Sequence, residues 1–456
     1  MKLKLVSLFL AMLLLLVLTG FAESGKPCRI ALIDTGVSTE AIAEKNIIEG
    51  KNYVSGEEGT EDKEGHGTAI ASIIVGSRSA AVRGLCENAE IVPLVFYTVD
   101  ENGSVKRCSV DVMAQMVINA VNTYDCRIIN MSSGAQNDSA LLHSAVNVAL
   151  AKGALVVTAI GNDGSSKAYY PAMYDGVLSV GSVNAEGNFP AVFSNRNSAL
   201  DILAPGENVT VAAFSGEPMS ETGTSFSCAY VSGVAARLMT EHPKLTGFEV
   251  AKILMSSARD ICDEGYDELS GWGVLDEKAA REYAADGRLF RDVTKNKWYF
   301  ESVNSAARLG IMSGTTETMF SPDVKTSRAM LWTMLSRLDG TTFEKTDGVW
   351  YEGARIWSQN SGISDGTNPE AEISREQLAV MLFRYAQGKG IDVSARKKLD
   401  SFADAGWISD YASDALGWAV AKGLIGGTGD GKLLPLDGAS RAEVAAIFVR
   451  FEKLSD

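Results

Sequence analysis

From Cys28 to about residue 283, short β-branched runs alternate with longer helical stretches, and this alternation restricts the fold more than any single motif does. The runs are Arg29–Ile33, Ile91–Phe96, Ile128–Met131, Ala154–Ala159 and Val177–Val180. Between them lie Thr68–Val75, Val110–Asn122, Ala140–Lys152 and Ser225–Glu241. Strands alternating with helices build βαβ units, whose parallel sheet must be covered on both faces. The expected class is therefore α/β, a parallel sheet flanked by helices, with enough chain to bury a large core. Near Arg288 the pattern changes to helix pairs, loops and spaced tryptophans. An all-α second domain is expected from there on.

That second part repeats itself. A Gly-Ile or Gly-Leu turn recurs at Gly310, Gly362 and Gly423. Trp298 and Trp350 each stand 12 residues before the turn, and Trp407 stands 16 before it. A Pro then falls six residues ahead of an Arg that follows a Ser: Pro322/Arg328, Pro369/Arg375 and Pro435/Arg441. Each Ser sits where a helix cap belongs, and the apolar helices Leu331–Leu338, Leu378–Tyr385 and Val444–Phe451 follow. The copies span 290–339, 343–390 and 402–453, and three are enough to bury a shared core.

At the amino terminus, an apolar run from Leu5 to Leu18 follows Lys2 and Lys4 and precedes Gly20-Phe-Ala22. Residues 1–22 are expected to be a signal peptide cut after Ala22, the competing reading being an uncut anchor. No later stretch is long and apolar enough to span a bilayer, so no membrane association is expected after cleavage. The formal charge of −15 argues against a nucleic-acid partner, which asks for a basic face. Six cysteines in an exported chain permit up to three disulfides, and they lack the paired spacing of a zinc site. No metal ligand set is expected.

Three short segments carry chemistry. Asp34 ends the apolar strand Ile30-Ala-Leu-Ile33 and precedes Thr35-Gly36, at the edge where parallel sheets place their sites; an ordinary strand-end turn reads the same way. His66 lies in Gly65-His-Gly-Thr68 just before an apolar helix, and His suits proton transfer near neutral pH. Ser225 opens a helix that carries Ala229, Gly233, Ala235 and Ala236, small residues that allow deep burial. A hydroxyl at the positive end of a buried helix is well placed for nucleophilic attack.

Together these segments resemble the subtilisin-like serine proteases over residues 28–283, because Asp, His and Ser occur in that family's order with each local motif recognisable. The resemblance implies Ser225 as nucleophile, His66 as general base and acid, and Asp34 as the group that orients the imidazole. Asn162, in Ala159-Ile-Gly-Asn-Asp-Gly164, matches the family's oxyanion amide. Asn130-Met-Ser-Ser-Gly134 resembles the strand that pairs with extended substrate, making Ser132, Ser133 and Gly134 expected substrate contacts beside Gly161. Tyr169, in Tyr169-Tyr-Pro-Ala-Met-Tyr174, falls where the family often has a small residue. A shortened pocket for small or medium apolar side chains is expected. Phe226 and Cys228 depart from the family's helix and read as packing changes. Only Glu23–Pro27 separate the expected cleavage site from the first strand, so the prodomain and calcium-holding arm of many relatives have no counterpart there. No cofactor is expected to be required, and structural calcium stays open. A Cys28–Cys126 disulfide is expected from the equal depth of the two residues on strands that neighbour each other in this family.

The repeats resemble S-layer homology modules, which bind polysaccharide on bacterial cell walls through a Thr-Arg-Ala-Glu-like motif. Here it reads Ser327-Arg-Ala-Met330, Ser374-Arg-Glu-Gln377 and Ser440-Arg-Ala-Glu443. The resemblance implies Arg328, Arg375 and Arg441 as glycan contacts, since a guanidinium captures carboxylates in bidentate fashion; a structural role, pairing with a neighbouring carboxylate, is the alternative. The whole reads as a secreted serine endopeptidase on a bacterial cell wall, with peptide or protein substrates and a wall polysaccharide or peptidoglycan partner. A wall-bound scaffold that binds without cutting is the rival from another class.

Overall fold

The computed structural model describes residues 26–100, 102–343 and 348–454. The expected signal peptide lies outside the described residues. The chain divides into two compact units, one ending at Gly287 and the other beginning at Arg288.

The first unit is built on a seven-stranded, wholly parallel sheet. Its strands are β1 (Arg29–Asp34), β2 (Lys51–Asn52), β3 (Glu90–Val95), then, after the hairpin β4 (Tyr97–Val99) and β5 (Val105–Arg107), β6 (Ile128–Met131), β7 (Leu155–Ala159), β8 (Leu178–Val183) and β9 (Ile202–Pro205). In space they run β2-β3-β1-β6-β7-β8-β9. The central strands are almost wholly buried and mostly apolar because both faces of the sheet are covered. Ala31, Ile33, Ile129, Met131 and Val156 pack into one cluster with Met116, Val117, Leu142 and Val146 from α2 (Val110–Asn122) and α3 (Ala140–Ala151). Side chains alternate along a strand, so Ile30 and Leu32 belong to the opposite face. There α4 (Thr224–Glu241) runs under β6 to β9 and packs on α1 (His66–Val75). Its small residues let it in: a Cβ on Gly233 would stand 2.8 Å from the Leu85 side chain. A second hairpin, β10 (Val209–Ala212) with β11 (Pro218–Glu221), leads into α4, and α5 (Gly247–Ser257) and α6 (Glu277–Asp286) close the unit.

One expectation fails here. All six cysteines are thiols, including Cys28 and Cys126, which precede the register pair Ile30↔Ile128 by two residues each. The strand spacing of about 4.8 Å would itself allow a disulfide between such positions, so the separation comes from where the two side chains pack. Cys126 packs into the α2–α3 cluster, of which Cys28 is no part. Burial pushes both thiols well above their ordinary range.

The second unit contains α7 (Phe300–Arg308), α8 (Arg328–Leu338), α9 (Glu352–Asn360), α10 (Arg375–Gly388), α11 (Ser413–Ala421) and α12 (Arg441–Glu452). Ser327, Ser374 and Ser440 each cap the helix they precede, accepting from the backbone N–H three residues on. The segments before these helices join in a closed ring: Ile373 N–H donates to Thr326 C=O, Ala439 N–H to Ile373 C=O, and Thr326 N–H to Ala439 C=O. Around this triangle the helices pack across the expected repeat boundaries, α8 on α9, α10 on α11 and α12 on α7. Trp332 and Trp418 are fully buried in this unit, whereas Trp298, Trp350 and Trp407 are 66%, 62% and 68% exposed.

Candidate active site

Parallel strands deliver their carboxyl ends to one edge of the sheet, and the candidate residues of the first unit gather there. Asp34 is the last residue of β1, Ser132 follows β6, and Asn162 lies three residues beyond β7. His66 opens α1 and Ser225 is the second residue of α4.

The first element is a carboxylate–imidazole pair. Asp34 is almost wholly buried, and its Oδ1 lies 2.7 Å from His66 Nδ1 while also accepting from Thr35 N–H. Burial of the ring opposes its charged form, but the Asp34 charge and hydrogen bond, with smaller help from Glu64 and Asp62, outweigh it and raise the His66 pKa to about 9. The loop that aims the ring is tightly held. Asp62 Oδ1 accepts from the N–H groups of Glu64 and Gly65, and its Oδ2 accepts from both Thr68 N–H and Thr68 Oγ1. Thr35 Oγ1 accepts from Gly67 N–H, and a Cβ on Gly67 would lie 2.2 Å from Gly36 C=O. The Asp-Thr-Gly and Gly-His-Gly segments therefore fit together only with glycine at that contact.

Ser225 is the second element. It is buried, and its Oγ donates to Ser132 C=O at 3.2 Å. Among the described residues no hydrogen bond joins it to His66, and the ring of Phe226 lies 5.8 Å from the imidazole. Loose contacts of this kind are ordinary in an uncomplexed site. Asn130 fixes β6 to α4 by donating to Ser232 Oγ at 3.0 Å and to Cys228 Sγ at 3.1 Å, and Ser132 Oγ donates back to Asn130 Oδ1.

The third element is a free donor. Asn162 Oδ1 accepts from Thr224 N–H at 2.9 Å and from Thr224 Oγ1 at 2.8 Å. With the carbonyl end tethered, Nδ2 has no acceptor among the described residues and sits near Gly223, just ahead of Ser225. The N–H of Ser225 lies in the first turn of α4, where no preceding helical carbonyl can reach it. Both donors lie at the start of α4.

The expected substrate contacts lie on the segments that follow β6 and β7. The segment after β6 bends so that Ala135 pairs with Tyr170 through reciprocal hydrogen bonds of 2.9 and 2.7 Å. Gly134 and Gly161 face Tyr169, and Ser133 Oγ is buried without a partner. Among the described residues no group of three or more His, Cys, Asp or Glu side chains is placed to hold a metal ion. Three positioning residues escaped the sequence reading. Thr35 and Thr224 look like any strand-end or cap residue, whereas Asp62, four residues before His66, carried a signal in its Asx-turn chemistry.

In the second unit the three arginines make equivalent contacts. Arg328 donates to Thr367 C=O, Ser364 Oγ and Asp365 Oδ1. Arg375 donates to Leu433 C=O, Gly426 C=O and Glu443 Oε1. Arg441 donates to Phe320 C=O and Ser313 C=O, with its guanidinium 4.6 Å from the Phe320 ring. Each arginine thus grips the Gly-turn region of the next repeat, and the third closes the circle on the first. Arg375 and Arg441 are buried, and burial pushes Arg441 below the usual guanidinium range.

Comparison with known proteins agrees with this geometry. A model of the subtilase family matches residues 25–273, more than half of the chain. The chain belongs to the subtilase family. It is a subtilisin-like serine protease, 34% identical over 258 residues to subtilisin BL of Lederbergia lenta, an alignment covering 56% of this chain and 91% of that protein. Subtilisin DY of Bacillus licheniformis is 31% identical over 263 residues, covering 57% of this chain and 92% of the other. The structure of a serine-to-alanine mutant of the protease domain of PatA superposes with a TM-score of 0.50 at 26% identity, covering 59% of this chain and 99% of that one. The S-layer homology model matches 289–329 and 401–445, the first and third of the repeats. These modules associate the protease with a cell surface. Among the described residues no helix is long and apolar enough to cross a membrane.

Proposed function

We propose that this subtilase is a secreted endopeptidase that cuts extended peptide segments with an Asp34–His66–Ser225 triad while its three repeats hold it on a wall polysaccharide. The observation that carries the first half is the convergence of a buried carboxylate–imidazole pair, a hydroxyl at a helix start and a free amide donor on one sheet edge. Substrate backbone pairs along Ser132–Gly134, and Ser225 Oγ attacks the scissile carbonyl as His66 takes its proton. Asp34 stabilises the imidazolium and fixes Nδ1 as the protonated nitrogen. The carbonyl oxygen, now anionic, accepts from Asn162 Nδ2 and Ser225 N–H. His66 then returns the proton to the leaving amine, and water repeats the sequence on the acyl-enzyme.

For the second half, the middle segment supports a third repeat because it has the same capped helix, the same gripping arginine and the same place in the backbone triangle. The arginines act by framing the turns, and the exposed faces of Trp298, Trp350 and Trp407 are suited to stacking on sugar rings. The chain from Glu23 onward, purified and treated with a fluorophosphonate probe beside Ser225→Ala, tests the chemistry: labelling of the wild type alone is expected. Co-sedimentation with bacterial walls, lost when their acid-extractable polysaccharide is removed, is the expected outcome for the repeats.

A further inference from the structure

Tyr169 packs against both Gly134 and Gly161, two of the expected substrate contacts. A Cβ built on Gly161 would stand 3.0 Å from two carbons of the Tyr169 ring, and one on Gly134 would stand 3.4 Å from Tyr169 Cβ. The ring therefore lies flush against both glycines, between the segment that pairs with substrate and the segment that bears Asn162. It is also latched there. Tyr169 Oη donates to Asp163 Oδ2 at 2.8 Å and accepts from Gln136 Nε2 at 3.2 Å. Asp163 is held in turn by Lys167 Nζ at 3.0 Å, and its N–H donates to Asn195 Oδ1 at 2.9 Å. At the other end, the Ala135↔Tyr170 pairing fixes the backbone beside the ring. A tyrosine tied at both its hydroxyl and its backbone cannot swing aside as a free side chain would.

Resting on the catalytic reading above, the side chain that precedes the scissile bond must enter between Gly134 and Gly161, because its carbonyl sits at Ser225 Oγ and Asn162 Nδ2. We propose that the latched Tyr169 is the floor of this pocket and restricts cleavage to bonds that follow glycine, alanine or serine. The chain's expected tolerance for medium side chains is thereby narrowed to small ones, and Asp163 becomes the positioning residue that keeps the floor closed.

The test uses the chain from Glu23 onward with peptides that differ only in the residue before the cut: Ala, Ser, Leu or Phe. Active sites are counted with a fluorophosphonate so that rates are per competent enzyme. The wild type should favour Ala over Phe by roughly a hundredfold in kcat/KM. Tyr169→Gly should raise the Phe value about a hundredfold and lower the Ala value, and Tyr169→Phe, which keeps the ring but not the latch, should raise Leu and Phe by about tenfold. Wild-type enzyme that cuts after Phe within about threefold of Ala, or a Tyr169→Gly protein of normal active-site count with an unchanged profile, overturns the inference. If Tyr169→Gly fails to label, Tyr169→Phe decides the matter alone. A well-folded wild type that neither labels nor cleaves any of the four peptides overturns the catalytic reading itself, and the inference with it.

Discussion

The two units use polar side chains in opposite ways. In the protease unit a side-chain donor is held in place with no protein acceptor: Asn162 is tethered by its carbonyl end, and its Nδ2 has no acceptor among the described residues. In the repeat unit the arginines that a motif marks as ligand contacts already have acceptors, because carbonyl oxygens of the next repeat take their N–H groups. A tethered donor left with no protein acceptor is a candidate for chemistry, whereas a donor already paired with backbone carbonyls is a candidate for architecture. Residue type and spacing do not separate the two cases. The partners do.

Breaking the protease side of this contrast should produce the largest effects. Ser225→Ala should lower kcat by about a millionfold, since triad members act as a unit, while the melting temperature stays near that of the wild type. Peptide hydrolysis and a thermal melt measured on one preparation check both statements. Asn162→Ala removes the free donor and should cost roughly 100- to 1,000-fold in kcat, with KM little changed. A loss confined to KM would assign Asn162 to substrate binding instead. The His66 pKa of about 9 makes a third prediction. Only neutral His66 can accept the serine proton, so kcat/KM should climb about tenfold per pH unit, reach half its maximum at about pH 9 and level off above it, roughly a hundredfold over its value at pH 7. A plateau already reached at pH 7 would show that Asp34, Glu64 and Asp62 do not raise the ring as the geometry implies.

The sheet was largely legible because the buried strands are short, mostly apolar runs and each long helix is a separate periodic stretch. Val110–Asn122 and Ile128–Met131 fall where expected. The strand Ile202–Pro205 and the two hairpins were missed, since each of their runs is only three or four residues long. Asp34, His66, Asn162 and Ser225 were legible as motifs, whereas the tether from Thr224 and the anchor at Asp62 exist only through contacts made in three dimensions. The repeat period likewise announced equivalent arginines but not their direction. A Ser-Arg pair at a helix start can send its guanidinium outward or across to the next turn, and only the closed triangle of 326, 373 and 439 brings that turn within reach.

The smallest effects belong to those arginines, and they sharpen the contrast most finely. If the three act as staples, truncation should cost stability in proportion to burial. Arg375→Ala and Arg441→Ala remove buried cations and leave carbonyls without donors, so each should destabilise the repeat unit by about 3 kcal/mol. Arg328 is nearly as well buried, but its bonds to Thr367 C=O and Asp365 lie at the surface and Asp365 is 65% exposed, so Arg328→Ala should cost about 1 kcal/mol. Peptide hydrolysis should be unchanged in all three, and wall binding should fall in the same order as stability. Differential scanning calorimetry alongside wall co-sedimentation reads both quantities. Loss of wall binding with an unshifted melt would make the arginines direct glycan ligands. Their equivalent grip on the next turn would then be a resting state that the polymer displaces.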